Sequence, residues 1–147
     1  MRFNYVVNGN MAKAYGRDLS ISTKNSVEIC REIRGKPLDK AKRFIEMVIS
    51  KKSAVPMKRY LSEAGHKRGI GPGRYPIKTA KEILKIIKSA ESNAQNKGLS
   101  TKDLFIVHIC AHLASRPLHF GRKRRIKMKR THIEVVLAER KQVETQK

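Results

Sequence analysis

The chain has 147 residues, the length of one domain able to bury about two thirds of its unfolded surface. Its 34 Lys and Arg against 12 Asp and Glu give a formal charge of +22, an excess that repels itself in a compact state and calls for a polyanion. Hydrophobic residues at 39% allow a core, and two distant cysteines, Cys30 and Cys110, without CxxC spacing argue against a disulfide or a zinc site.

The opening MRFNYVVNGN carries no apolar run of signal-peptide length, and the run from Leu104 to Ile109 falls short of a membrane span. The expected location is therefore the cytosol or nucleus. MAKAYGRDL, Met11 to Leu19, alternates weakly and is a candidate strand. Ser22 or Thr23 can then cap a first helix carrying Val27, Ile29, Cys30 and Ile33, with Gly35 as its stop. Pro37 suits the first turn of a second helix, whose Leu38, Ala41, Phe44, Ile45, Val48 and Ile49 form one apolar stripe.

Periodicity fails over residues 51–75, where KKSAVPMKRYLSEAGHKRGIGPGRY mixes glycine, proline and basic side chains. This predicts a long surface loop. Lys58, Arg59, His66, Lys67, Arg68 and Arg74 in it are candidate RNA contacts, with glycine letting backbone amides approach phosphates. Gly69, Gly71 and Gly73 do not fit GxxxxGK[ST] and follow no strand, which argues against a nucleotide-binding loop. Helical spacing returns after Pro76 with Ile77, Ala80, Ile83, Leu84, Ile87, Ala90 and Ala94, and Gly98 closes this third helix.

From Leu104 the period becomes two. Phe105, Val107, Ile109, Ala111 and Leu113 are expected on one face, with His108, Cys110 and His112 on the other. Ile133, Val135 and Leu137 repeat the pattern, so the two runs predict a hairpin packed on the helices. The composite is an α+β domain over residues 1–147: a small antiparallel three-stranded sheet against three helices, with a long protruding β-hairpin.

Between those strands an arm over residues 114–132 has no core side. Its Arg116, Arg122, Lys123, Arg124, Arg125, Lys127, Lys129 and Arg130 face no carboxylate in the same stretch. Two legs of such an arm would extend about 30 Å, and a lone ribbon of that kind is marginal in water. A solvated charged face is the plain alternative. The stronger reading is that phosphates supply the missing side. Gly121 at the midpoint suits a positive φ at the tip.

Metal binding by His108, Cys110 and His112 is set aside, because successive same-face positions lie about 6.8 Å apart along a strand. Catalysis by Cys110 lacks an orienting partner and an oxyanion site. No cofactor, small-molecule substrate, membrane contact or enzymatic role is expected. Aromatic residues are only 5%, so binding should rest on phosphates and shape rather than on stacking.

Four stretches carry a resemblance: AYGRDLSISTKNSVEICREIRGKPLDKA (Ala14 to Ala41), GHKRGIGPGRYPIKTAKEIL (Gly65 to Leu84), AESNAQNKGL (Ala90 to Leu99) and KRTHIEVVLAER (Lys129 to Arg140). Through them the chain resembles, over nearly its whole length, the large-subunit ribosomal protein twenty-two family in its archaeal and eukaryotic form. The resemblance implies a cytoplasmic structural constituent of the large subunit, bound to ribosomal RNA and neighbouring ribosomal proteins. It also implies a hairpin that helps line the nascent-peptide exit tunnel, with His119, Phe120, Gly121 and Arg122 as the tunnel-lining tip. ASRPLH before the tip departs from the Met-Pro-Arg-Ala run of many relatives, and the glycine-rich loop is shorter than in typical archaeal ones. Charge alone fits a free-standing nucleic-acid binder, such as an RNA chaperone, equally well.

Overall fold

The computed structural model describes residues 11–61 and 63–139. Strand β1 (Met11–Leu19) leads into helices α1 (Thr23–Ile33) and α2 (Leu38–Ile49). Three short strands follow, β2 (Val55–Pro56), β3 (His66–Lys67) and β4 (Gly71–Arg74), before helix α3 (Ile77–Asn96) and strands β5 (Leu104–Leu113) and β6 (Thr131–Glu139). The fold is α+β, with an antiparallel sheet in the order β1-β6-β5 and the helices against it.

The helices form where apolar spacing and stop signals coincide. Ser22, in extended conformation, precedes α1, and Gly35 beyond its end takes φ +73°, a conformation cheap only for glycine. Pro37 stands just outside α2 and Pro76 just outside α3, where the missing N–H costs no helical hydrogen bond. Ile29, Ile33, Leu38, Ile45, Ile83 and Ile87 are fully buried, and they meet Ile106, Ile109, Ile133 and Leu137 of the sheet in one cluster. Each such side chain contributes about 1.5–3 kcal/mol on leaving water.

The connection between α1 and α2 also closes an edge. Gly35 N–H donates to Ile106 O (2.9 Å), and Ile106 N–H donates to Lys36 O (3.1 Å). The outer side of β5 is thereby partly paired, so it offers less template for another chain.

Two expectations need correction. Strict alternation in β5 would bury Phe105, Val107 and Leu113 beside Ile109. Instead the register against β6 shifts between Ile106 and His108, and Leu104 and Ile106 join Ile109 in the core. A bulge inserts one residue and reverses the facing of what precedes it. Phe105 and Val107 become half-buried, and Leu113 is 61% exposed.

The second correction concerns residues 51–75, expected as a long surface loop. There β4 pairs antiparallel with both β2 and β3. Ala54, Val55 and Met57 are buried, Val55 and Met57 within the main cluster. Strands of two to four residues leave no periodicity to read. Positive φ at Gly69 and Gly71 shapes the β3–β4 turn.

Candidate nucleic-acid interface

The arm leaves the sheet at Ala114 and re-enters at Thr131, so Thr131 and His132 belong to β6 rather than to the arm. Its two legs are joined sparsely. Ala114 N–H donates to Arg130 O (3.2 Å), Met128 N–H to Pro117 O (2.8 Å) and His119 N–H to Ile126 O (2.9 Å). Leu118 and Lys127 form an isolated bridge, and Gly121–Lys123 make a single 3-10 turn. Gly121 has φ +63°, as its midpoint position predicts.

Phe120 is 88% exposed, and Leu118 and Ile126 are more than half exposed. An apolar side chain without a core neighbour awaits cover from outside. Arg116, Arg122, Lys123, Arg124, Arg125, Lys127 and Lys129 are exposed and Arg130 is half-buried. No salt bridge among the described residues involves any of these eight. Cations of the helices and loop take carboxylates instead: Glu32 pairs with Lys36 and Lys58, Glu91 with Lys42 and Glu82 with Lys85. Arg122, Lys123, Arg124 and Arg125 surround one open concavity at the tip with Ile126.

At its foot the arm meets the basic loop. A cleft of about 420 Å³ is lined by Ser22, Thr23, Lys24, Tyr60, Leu113, Arg116 and Lys129. A second depression, sharing Ser22, Lys24, Tyr60 and Lys129, extends to Arg59, Glu63 and Arg74. The fold therefore unites Arg59 and Arg74 of the loop with Arg116 and Lys129 of the arm beside the start of α1. Lys58 turns towards Glu32 (3.9 Å). His66, Lys67 and Arg68 lie on the β3–β4 hairpin, outside the residues lining this cleft.

Polar contacts brace the junction. Thr131 Oγ1 donates to Ile21 O (3.0 Å), so its oxygen accepts from Thr23 Oγ1 (2.7 Å). Glu28, buried in α1, accepts the backbone N–H groups of Arg59 (2.7 Å) and Tyr60 (2.8 Å) through Oε1.

Two members of the junction escape a reading of the sequence. Lys24 is one of two cations on α1, and Tyr60 one of two tyrosines in residues 51–75. In the fold the Tyr60 ring has Lys24 Nζ at 5.6 Å and Arg59 Cζ at 5.7 Å from its centroid, within cation–π range. The only local signal is that Tyr60 follows the basic pair Lys58 and Arg59.

A different polar group occupies the sheet face turned from the helices. Glu134 of β6, 1% exposed, sits opposite Cys110 and between His108 Nε2 (2.7 Å) and His112 Nε2 (3.1 Å). Tyr15 of β1 is its partner on the other side. Burial and then the Glu134 carboxylate push the Tyr15 phenol above its ordinary pKa. Among the described residues no helix is long and apolar enough to cross a membrane.

Comparison with known proteins places these features in a family. Residues 14–138 match the model of the family described as ribosomal protein L22p/L17e. The chain is 47% identical over 138 residues to the large ribosomal subunit protein uL22 of Methanopyrus kandleri, covering 88% of this chain and 87% of that one. With its namesake in Methanosphaera stadtmanae it shares 45% over 137 residues, 88% and 89% of the two chains. The uL22 protein of Thermoplasma acidophilum is 46% identical over 110 residues, 75% and 73%. A match spanning α1 to β6 with both basic elements inside it leaves one assignment: the chain belongs to the ribosomal protein L22p/L17e family.

Proposed function

We propose that this chain is a structural constituent of the large ribosomal subunit, that it holds ribosomal RNA with its loop and arm, and that its arm tip helps line the nascent-peptide exit tunnel. The family is one of ribosomal proteins, and the chain is not an enzyme. The observation that carries the reading is the arm itself, whose eight cations have no carboxylate within the same stretch and whose large apolar side chains have no core to enter. A segment with neither an internal counter-charge nor an apolar cover is stable only inside a partner that supplies both.

RNA fits those needs. Phosphates neutralise Arg116, Lys127, Lys129 and Arg130 along the legs with release of condensed counterions. Arg122, Lys123, Arg124 and Arg125 take phosphates around the tip, and guanidinium groups do so with two parallel hydrogen bonds. In the loop, Lys58, Arg59, His66, Lys67, Arg68 and Arg74 contact further RNA segments, so that the whole chain works as one unit clamping several helices. His119, Phe120, Gly121 and Arg122 face the tunnel, where they meet the nascent peptide, and neighbouring ribosomal proteins complete the surroundings. The site of action is the cytoplasm.

A photo-crosslinking amino acid in place of Phe120, in assembled subunits carrying a stalled nascent chain, tests this. The expected product joins the tip to the nascent peptide, while crosslinkers at Arg116 and Lys127 join ribosomal RNA. Crosslinks from position 120 to proteins on the outer surface alone would overturn the tunnel assignment. Absence of RNA products from positions 116 and 127 would overturn RNA binding by the arm.

A further inference from the structure

Three donors on the outer sheet face come together in a way their sequence spacing does not suggest. Cys110 and His112 are two residues apart on β5, and the third donor, Glu134, arrives from β6, directly opposite Cys110. Cys110 Sγ, a His112 ring nitrogen and a Glu134 carboxylate oxygen lie within 4.8 Å of one another. His112 Nε2 and Glu134 Oε1 are 3.1 Å apart, close to the roughly 3.3 Å that separates two ligand atoms on one tetrahedral zinc. A sulfur on the same ion would stand about 3.5 Å from each, so side-chain rotation of about an ångström closes the set.

We propose that Cys110, His112 and Glu134 form a zinc site that ties β5 to β6 at the foot of the arm. Thiolate and imidazole together select a borderline-soft ion such as zinc over magnesium or calcium, which prefer all-oxygen sites. Charge favours the same ion. In a chain of net charge +22 a divalent cation needs local neutralisation, and one carboxylate plus one thiolate provide it in full.

Binding is a proton exchange: the Sγ–H bond breaks, the Sγ–Zn bond forms and the proton leaves to solvent. His112 gives its Nε2 lone pair with its proton on Nδ1, and the N–Zn–O link replaces its contact with Glu134. His108, 2.7 Å from Glu134 Oε1, is the positioning residue that holds the carboxylate in place. Water takes the fourth position. His112 lies two residues before Ala114, where the arm departs, so the ion would fix the angle at which the arm leaves the sheet.

The test uses the full chain, purified with chelator and titrated with Zn²⁺ against a chromophoric chelator, and with Co²⁺ followed by absorption. One equivalent should bind, Co²⁺ should show a near-ultraviolet thiolate-to-metal band, and Cys110→Ala should abolish that band. Cys30→Ala should leave it intact. His108→Ala should weaken Zn²⁺ binding about 10- to 100-fold. A wild-type cobalt spectrum without the thiolate band overturns the proposal even should a variant misfold. Equal Zn²⁺ affinity in folded Cys110→Ala and wild type overturns it as well.

Discussion

The Glu28 carboxylate accepts two consecutive backbone N–H groups, those of Arg59 and Tyr60, through a single oxygen (2.7 and 2.8 Å). It is 1% exposed on α1, and the segment it grips carries the loop side of the basic junction. This acceptor and the buried Met57, two residues before Arg59, hold the loop's entry into the cleft from two sides.

Glu28→Ala should destabilise the protein by about 2–4 kcal/mol, because two charge-assisted bonds disappear and two donors are left unsatisfied. Glu28→Gln keeps the accepting oxygen and should lose less than half of that. Chemical denaturation measures the cost, and faster amide exchange at Arg59 and Tyr60 locates it. Equal stability of wild type and Glu28→Ala would mean that the loop is held by its apolar residues alone.

The arm should be open in the free protein and closed in RNA. Its legs share few hydrogen bonds and one isolated bridge, so amides from Leu118 to Lys127 should exchange fast while those of β6 stay protected. Strong protection of the arm in isolation would contradict the view that RNA completes it.

Affinity for ribosomal RNA fragments should fall with salt by about 0.7–0.9 log units per log unit of salt for each phosphate engaged. Replacing Arg124 and Arg125 by Gln should therefore flatten the slope by roughly 1.4–1.8 in total. An unchanged slope would mean that these two guanidinium groups touch no phosphate.

Gly121 has φ +63° with nothing within 4 Å of an added Cβ, so its substitution tests backbone strain free of collision. Gly121→Ala should cost the tip conformation about 1 kcal/mol, a roughly fivefold loss in its population. Gly121→Asn should cost less, since Asn tolerates positive φ. Chemical shifts of His119 and Ile126 report the change, and the melting temperature of the core should not move.

Cys30 is fully buried, and desolvation, followed by the nearby Cys110, pushes its thiol far above the ordinary range of a free thiol. The folded state thus holds this proton more tightly than the unfolded chain. The associated stability is complete below pH 9 and is lost above it at about 1.4 kcal/mol per pH unit. The stability gap between wild type and Cys30→Ala should accordingly narrow between pH 9 and 10. Cys30 should also resist alkylation until the protein unfolds.

The positions of β1, the three helices, β6 and the arm follow from local rules: apolar spacing, proline and glycine at the ends, and a run of like charge that no core could accept. Such features are written within a few turns of chain, and that is why they can be read there. The β5 bulge, the small sheet of residues 51–75, the grip of Glu28 on Arg59 and the meeting of His108, Cys110 and His112 with Glu134 are set by packing. Each joins groups distant in the chain through a register or a contact that exists only once the core has closed. Local pattern can nominate a residue, but a pairing of distant residues is a property of the folded whole.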